Sequence, residues 1–133
     1  DSRISGFEIK RRLVQAALAG MAAIREVDPH ARFLHVEPVL HVAPGDDSEE
    51  TRALAQRIAS FQWQAFDMLA GRMAPELGGG EDALDWIGLN HYHSSQWEVP
   101  SEKRLAWHLG DPRRVPLSLL LRQELLCPLI VML

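Results

Sequence analysis

The sequence predicts an α/β fold with about three parallel strands and helices between them. Segments with a helical spacing of apolar residues alternate with short segments of strand composition, in the order helix, strand, helix, strand, helix, strand. Each connection between strands is long enough to hold a helix, and such crossovers make neighbouring strands parallel. The chain has 133 residues, which is the size of a single domain.

The first predicted helix begins near Phe7 and ends at Asp28, because the residue before Pro29 is disfavoured in a helical conformation. We expect one face of this helix to be buried and Lys10, Arg11 and Arg12 to lie mostly in solvent on its other faces. The residues of the expected buried face are Ile9, Leu13, Ala16, Gly20, Ile24 and Val27.

A strand is predicted over residues 33–38 from its alternation and its composition. A turn at residues 44–47 then leads into a long second helix, which has Asp47 or Ser48 as its N-cap and ends before Pro75. We expect this helix to be continuous, since its apolar spacing is regular. Its apolar face consists of Leu54, Ile58, Phe61, Ala65 and Met68 or Leu69.

The next strand is an apolar run that ends abruptly in polar and aromatic residues. Residues 84–89 are short and bulky, which favours a strand buried on both faces. Alternation then places Asn90 and Tyr92 on the same side of the strand. In parallel α/β folds ligands bind at the carboxyl ends of strands, so Asn90 and Tyr92 mark the candidate site.

Residues 94–114 have no sustained period and contain Pro and Gly, so we predict a long loop, and loops of this length are usually functional. A third helix is predicted over Leu117–Leu126, and a further strand begins at residues 128–131. The single cysteine, Cys127, excludes an internal disulfide, and its apolar surroundings favour a buried small residue over a nucleophile.

The net charge of −4 with mixed signs gives no basic surface, so nucleic acid is not an expected partner. There is no secretory signal pattern and no apolar run of about 18 residues, so we expect a cytoplasmic protein with no membrane contact. The glycines at residues 78–80 follow a helix and precede a strand, the wrong order for a phosphate-binding loop. No cofactor is expected.

The motif Leu84-Asp85-Trp86-Ile87-Gly88-Leu89-Asn90-His91-Tyr92, after a long helix containing residues 61–67, resembles the sixth-strand region of β-glucosidase-like glycoside hydrolases. These enzymes are (β/α)8 barrels. Residues 7–28 are similar to the fourth barrel helix, residues 32–42 to the fifth strand and its loop, and residues 128–133 to the start of the seventh strand. The resemblance implies that residues 1–133 are an internal fragment of a glycoside hydrolase TIM-barrel domain, a partial (β/α)8 barrel.

Enzymes of this family hydrolyse O-glycosidic bonds with retention, using one glutamate after the fourth strand as acid/base and another at the end of the seventh as nucleophile. The nucleophile would fall at about Leu133, where no carboxylate occurs. The resemblance implies that Tyr92 is the tyrosine beside the nucleophile, and that Asn90 is the asparagine of the same strand end. The chain alone is therefore expected to be inactive, with the rest of the barrel supplied by flanking sequence.

Four further residues are candidates for binding a carbohydrate substrate. The flat ring of Trp97 suits the apolar face of a sugar, and the carboxylate of Glu98 suits its hydroxyl groups. Alternation along the strand over residues 33–38 places His35 and Glu37 on one face, which would project into a barrel. Loop packing for Trp97 and Glu98, and a hydrogen-bonded core histidine for His35, are the structural interpretations of the same residues.

Two alternatives belong to other classes of function. A metal site could be formed by candidate ligands near two strand ends, but His91 and His93 share the strand face opposite Asn90 and Tyr92, and no HExxH motif is present. No metal is therefore expected. The other alternative is a non-catalytic α/β module for ligand binding or interaction, which fits the absence of both glutamates. The candidate metal ligands are His35, Glu37, His41, His91 and His93.

Overall fold

A computed structural model describes residues 4–120 and 129–132 of the chain. It has a mixed α/β fold with parallel strand pairs. The helices are α1 (Gly6–Val27), α2 (Glu49–Ser60), α3 (Gln64–Leu69) and α4 (Leu117–Leu120). The strands are β1 (Leu34–Pro38), β2 (His41–Pro44), β3 (Trp86–Asn90), β4 (Gln96–Val99) and β5 (Leu129–Met132). The predictions for the end of the third helix, for Cys127 and for Leu133 lie outside the described residues.

One sheet has three strands in the order β1, β3, β5. The backbone N–H of Trp86 donates to the carbonyl of Phe33 (3.1 Å), and that of Val39 donates to the carbonyl of Asn90 (2.9 Å). The partner residue numbers rise together on β1 and β3, so these strands are parallel. α2 and α3 lie in the connection between them, as expected for a parallel crossover. The prediction of parallel strands at these two segments is confirmed.

A second sheet pairs β2 with β4 in parallel, from His41 opposite Gln96 to Pro44 opposite Val99. Neither strand was predicted, and the prediction of an unstructured loop over residues 94–114 was wrong at β4. Each strand has only four residues, too few for a periodic pattern of apolar residues to stand out. This sheet holds together the two segments that follow β1 and β3 in the chain. The predicted site residues Asn90 and Tyr92 lie just before the second of these segments.

The described residues form two compact units. The first unit runs up to His35 and includes Trp63–Ile87, and the second comprises Val36–Gln62 and the described residues from Gly88 onward. In the first unit α1 packs on α3, where Phe66 and Met68 are fully buried. In the second unit α2 packs on β2. The core of the second unit is formed by Val42, Ala55 and Val99, with Leu40, Leu54, Ile58 and Trp97 packed against it.

The prediction of the buried face of α1 was wrong. Leu13 and Val27 are 66% and 88% exposed, whereas Val14 and Met21 are buried. Lys10 Nζ donates to Gln64 Oε1 (2.9 Å), so this residue is not simply solvated. Alanine and glycine fill much of this helix, so its apolar surface is wide and its spacing alone does not select one side. Polar partners on the neighbouring segments orient the helix instead.

The second helix, predicted to run without a break from its N-cap to just before Pro75, is interrupted and ends earlier, at Leu69. Ser48 is its N-cap, since Thr51 N–H donates to Ser48 Oγ (3.2 Å), but a 3₁₀ turn over Phe61–Trp63 separates α2 from α3. The side chain of Gln62 donates to the carbonyl of Ala59 (2.8 Å) and accepts from the N–H of Leu40 (3.0 Å). Bonds of this kind compete with regular helix geometry, and aromatic residues are weaker helix formers than alanine.

Close packing at the end of α3 requires a glycine at position 79. A Cβ atom there would lie 2.2 Å from the carbonyl oxygen of Met68 and 2.5 Å from that of Leu69. Gly80 N–H donates to the same Leu69 carbonyl (2.8 Å), so the glycine segment satisfies a carbonyl group at the helix end. The sequence predicts a helix stop and flexible connection at residues 78–80. The structure has the helix stop, and the close contacts of Gly79 show that the segment is tightly packed.

Candidate functional site

The ends of β1 and β3 lie at the same edge of the three-stranded sheet. The hydrogen bond from Val39 N–H to the carbonyl of Asn90 (2.9 Å) joins the residues at these two ends. Glu37 and Asn90 are both half-buried, and each lies at or next to the last residue of its strand. The sequence places them together at the carboxyl edge, and the structure has them there.

Tyr92 lies in the turn that follows β3. Its N–H donates to Ser95 Oγ (3.3 Å), and its carbonyl accepts from Ser95 N–H (2.9 Å). The carbonyl of Ser95 in turn accepts from His41 N–H (2.9 Å), at the start of β2. The backbone of the turn is thus held at three points, while Tyr92 itself is 51% exposed. A fixed backbone with an accessible ring suits a residue that contacts a ligand.

An open cavity of about 370 Å³ is lined by Ser94, Trp97, Glu102 and Arg104. Trp97 and Arg104 are antiparallel bridge partners, and Leu105 N–H donates to the carbonyl of Gln96 (3.0 Å). The segment over residues 103–105 therefore runs back alongside β4. Ligand sites generally have volumes of about 300–1,000 Å³, so this cavity is large enough for a small ligand.

The cavity combines one flat apolar ring with polar groups of three kinds. Trp97 lines the cavity and also packs against the core of the second unit, and the other lining residues, Glu102, Arg104 and Ser94, carry a carboxylate, a guanidinium and a hydroxyl group. Among the described residues, neither the Glu102 nor the Arg104 side chain has a hydrogen-bond or ion-pair partner. These groups are available to a ligand that has an apolar face and several hydroxyl groups.

Glu98 is adjacent in β4 but is engaged elsewhere. Its Oε1 accepts from Ser101 Oγ (2.6 Å), and its Oε2 pairs with Arg113 Nη1 (2.6 Å). These two hydrogen bonds, from Ser101 and then Arg113, lower the pKa of Glu98 below its ordinary value. Glu98, which was predicted to bind a sugar, therefore holds the turn after β4 in place. It could bind a hydroxyl group of a ligand only if it lost its hydrogen bond to Ser101 or its ion pair with Arg113.

Arg113 also forms a two-point ion pair with Asp111, through Nε to Oδ1 (3.1 Å) and Nη2 to Oδ2 (2.9 Å). This bidentate hydrogen bonding lowers the pKa of Asp111 to about 2. Arg113 therefore connects the segment before α4 to β4 through Glu98. Both carboxylates are ionised at neutral pH and serve the architecture of the site.

Two histidines of the second unit favour the neutral form. Burial and then the charge of Arg114 lower the pKa of His91. Its Nε2 atom is buried and has no hydrogen-bond partner among the described residues. Burial also lowers the pKa of His41, against a hydrogen bond with the backbone of Arg113 that raises it. Neutral imidazole groups are therefore expected at the strand ends at physiological pH.

His35, in the first unit, is a hydrogen-bonded packing residue. Its Nε2 lies 3.1 Å from the carbonyl of Ala83, and since a carbonyl group only accepts, this nitrogen carries the proton. Burial lowers the pKa of His35. The core-histidine interpretation is the one that fits these contacts.

Sequence reasoning found Trp97 but missed Ser94, Glu102 and Arg104. The usable signal was the pair Pro100-Ser101, two residue types that are common in turns, where the chain can reverse after residues 96–99. Within residues 4–120 and 129–132, no three His, Cys, Asp or Glu side chains are placed to hold a metal ion.

Comparisons of the chain with models of protein families, with curated proteins and with solved structures find no match. Among the helices that the structure describes, none has both the length and the apolar character needed to cross a bilayer.

Proposed function

We propose that this chain forms part of the (β/α)8 barrel of a retaining, β-glucosidase-like glycoside hydrolase and supplies the sugar pocket at the strand ends. The cavity lined by Trp97, Glu102, Arg104 and Ser94 is the observation that carries the proposal. An aromatic ring next to unpartnered charged groups and a hydroxyl group is the composition of a carbohydrate site. Asn90 and Tyr92, from the motif that resembles these enzymes, lie in the same unit.

The strand arrangement supports a barrel as the parent fold. In the three-stranded sheet the spatial order of the strands, β1, β3, β5, follows their order along the chain, as it does in a singly wound barrel. Apolar residues are also left exposed on β1, where Leu34 and Val36 are on the surface, and on α1, where Leu13 is. Exposed apolar surface of this kind is usually covered by other parts of a protein, and further barrel elements would cover it.

In the proposed reaction, a glutamate outside this chain attacks the anomeric carbon while a second glutamate protonates the leaving oxygen, and water then hydrolyses the glycosyl-enzyme. Tyr92 acts on the first of these steps. Its hydroxyl group donates a hydrogen bond to the nucleophile carboxylate, which keeps that carboxylate ionised and oriented. The amide of Asn90 offers both a donor and an acceptor to a sugar hydroxyl group.

The test uses the longer polypeptide encoded with the flanking DNA, assayed for hydrolysis of an aryl β-glucoside. We expect turnover in the wild type and a kcat lower by roughly tenfold to a hundredfold in Tyr92→Phe, because a hydrogen bond to a charged group is lost. His30→Ala, an exposed change after α1, is the control and should retain full activity. Full activity in Tyr92→Phe would exclude the role given to its hydroxyl group.

A second candidate is a non-catalytic carbohydrate-binding module. It is favoured by the location of all four cavity-lining residues within residues 94–104 of this chain, so binding requires no catalytic glutamate. Sugar binding by the 133-residue chain together with no hydrolysis by the extended polypeptide would select this candidate. A sharp two-state thermal transition of the monomeric chain would also favour it, since a piece cut from a barrel is expected to aggregate or melt gradually.

A further inference from the structure

One face of α1 carries apolar residues that the structure leaves in solvent. They recur alternately four and three residues apart from Ile9 to Val27, which is the spacing of a coiled-coil seam. The larger of them, Ile9, Leu13 and Val27, are 48%, 66% and 88% exposed, and the smaller ones are exposed as well. We call this face the α1 seam, and its residues are Ile9, Leu13, Ala16, Gly20, Ala23 and Val27.

The contacts of α1 within the described chain leave this seam uncovered. α1 packs on α3 and on the turn over Pro75–Leu77, and its buried residues, Val14 and Met21, occupy heptad positions that point away from the seam. The exposed face of a helix is usually polar, but the seam holds no polar side chain over a length of about 27 Å. A continuous apolar surface of this kind marks a place where another protein surface binds.

The side chains of the seam are complementary to a second copy of the same helix laid antiparallel. A pairing that sets Ala16 of one copy against Gly20 of the other also sets Leu13 against Ala23, so a large side chain meets a small one. The middle of the seam contains only alanine and glycine, and a carbon atom added at Gly20 would meet nothing within 4 Å. The axes of two such helices can therefore approach closely, to about 8 Å.

The charged residues beside the seam favour the same pairing. Arg12 and Glu26 lie two heptads apart on one flank of the seam, and both are exposed. A two-fold axis between antiparallel helices places like flanks together, so Arg12 of each copy lies next to Glu26 of the other. Within the described chain Arg12 pairs with Glu8 of its own helix (Nε to Oε1, 3.1 Å), and Glu26 forms no ion pair there. An antiparallel dimer therefore offers Glu26 a partner that the single chain does not.

A parallel pairing lacks this complementarity. It would lay the N-terminal half of α1, which contains Lys10, Arg11 and Arg12, beside the same basic half of the other copy. Arg12 and Glu26 would then be separated by about 21 Å along the helix axes, which is beyond the Debye length of about 8 Å at physiological salt. Like charges at close range oppose association, so the charge pattern favours the antiparallel arrangement.

We propose that the α1 seam is a dimerisation surface and that it binds the α1 seam of a second copy of this chain, antiparallel, about a two-fold axis. This inference is independent of the proposed carbohydrate site and concerns a face of the first unit alone. The other candidate occupant is the rest of a barrel, which the proposed function places outside residues 1–133. The two occupants give different results with the chain by itself, a closed dimer in the first case and a monomer or open-ended aggregates in the second.

The experiment is sedimentation equilibrium of the 133-residue chain at low- to high-micromolar concentrations. We expect a reversible equilibrium between monomer and dimer, with no larger species. Leu13→Glu should raise the Kd by roughly a hundredfold, because two leucine side chains per dimer lose their apolar contacts. Leu109→Glu makes the same exchange at a 77% exposed leucine outside the seam and should leave the Kd unchanged. Because Leu13 is exposed in the single chain, the far-UV circular dichroism of dilute Leu13→Glu should match that of the wild type.

An exchange of charges tests the direction of the helices. Arg12→Glu and Glu26→Arg should each weaken the homodimer by roughly tenfold, since each puts like charges at both contacts between the flanks. An equimolar mixture of the two variants should form a heterodimer about as tightly as the wild type forms its homodimer, because both contacts then join a carboxylate to a guanidinium group again. Misfolding of either variant could not produce this recovery.

The inference is overturned if the wild-type chain is monomeric throughout this concentration range, and the rest of a barrel would then be the remaining occupant of the seam. A dimer, or a larger species, that Leu13→Glu leaves intact would also overturn it, because association would then use another surface. A wild-type dimer whose charge variants show no recovery on mixing would overturn the antiparallel arrangement.

Discussion

Asp85 in the first unit and Glu102 in the second show two uses of a carboxylate. Burial favours the neutral form of Asp85, but hydrogen bonds from Phe33 N–H (2.9 Å) and Arg32 (2.5 Å), together with the charge of Arg25, lower its pKa. Glu102 has no such partners among the described residues and lines the cavity. In the first unit the charge of Asp85 holds segments of the chain together, whereas in the second unit the charge of Glu102 is available to a ligand.

Phe7 of the first unit is 46% exposed, but three other aromatic residues show a similar contrast between the units. Phe66 of the first unit is completely buried, whereas Tyr92 and Trp107 of the second unit are on the surface. Arg25 lies over the ring of Phe33, 5.0 Å from its centroid, so even a cation of the first unit is used for packing. Substitutions in the first unit should therefore change stability, and substitutions of the exposed groups in the second unit should change binding.

The largest expected effect is that of Gly79→Ala, which tests the tight packing of the first unit. The new methyl group would lie 2.2 Å from the Met68 carbonyl oxygen, a backbone atom that moves only with the helix end. We expect the free energy of unfolding to fall by roughly 3 kcal/mol, measured by urea denaturation.

The control for that substitution is Gly20→Ala, inside α1, where nothing lies within 4 Å of the added carbon. This change should increase the free energy of unfolding by about 0.5–1 kcal/mol, because alanine is the better helix former. Equal effects of the two substitutions would contradict the packing role of Gly79.

A pH series compares buried histidines in the two units. Burial lowers the pKa of His35 in the first unit and of His41 and His91 in the second. The unfolded chain therefore binds more protons than the native chain below the ordinary histidine value of about 6.5. The stability contributed by the neutral rings is complete above that pH and is lost as the pH falls through the lowered values.

We expect the free energy of unfolding, measured between pH 7 and pH 5, to decrease over this range. His35→Gln and His91→Gln should each make the decrease smaller, and the double substitution should make it smaller still, since the two residues lie in different units. An unchanged pH dependence in the double variant would exclude these histidines as its source.

The smallest effect on stability is expected for Glu102→Gly. Glu102 has a φ angle of +58°, which glycine adopts without the cost of roughly 1 kcal/mol that other residues incur. The greater freedom of glycine in the unfolded chain offsets much of this gain, so the free energy of unfolding should change by less than about 0.5 kcal/mol.

The same substitution should weaken the proposed sugar binding by roughly threefold, because one hydrogen-bonding group is lost. Glu102→Asn is the comparison, since asparagine tolerates the left-handed conformation and keeps a polar side chain. A large loss of stability with unchanged binding in Glu102→Gly would reverse the contrast drawn between the two units.

The elements that could be predicted from the sequence are those whose own residues determine them. β3 is short, bulky and bounded by glycines, and Ser48 caps a regular helix, so local pattern was sufficient for both. β2 and β4 exist because they pair with each other across more than 50 residues, and neither contains a local signal. The orientation of α1 likewise depends on partners elsewhere, such as Gln64.

The candidate site could be predicted only in part, because some of its residues have no local signal in the sequence. Trp97 stands out by residue type, and Asn90 and Tyr92 by their place after an apolar strand. Arg104 and Glu102 look like ordinary charged surface residues in the sequence, and only the return of the chain alongside β4 brings them to Trp97. The neighbouring carboxylate of Glu98 is paired with Arg113.

The parallel pairing of β2 with β4 has a consequence for redesign. Because side chains alternate along a strand, adding or deleting one residue in either strand would turn every later side chain to the opposite face. Val42 is the register partner of Trp97. A one-residue insertion or deletion in β2 would therefore misplace Trp97 as much as an insertion or deletion in β4 itself. To transfer ligand specificity between related proteins, β2 and β4 would therefore have to be exchanged together.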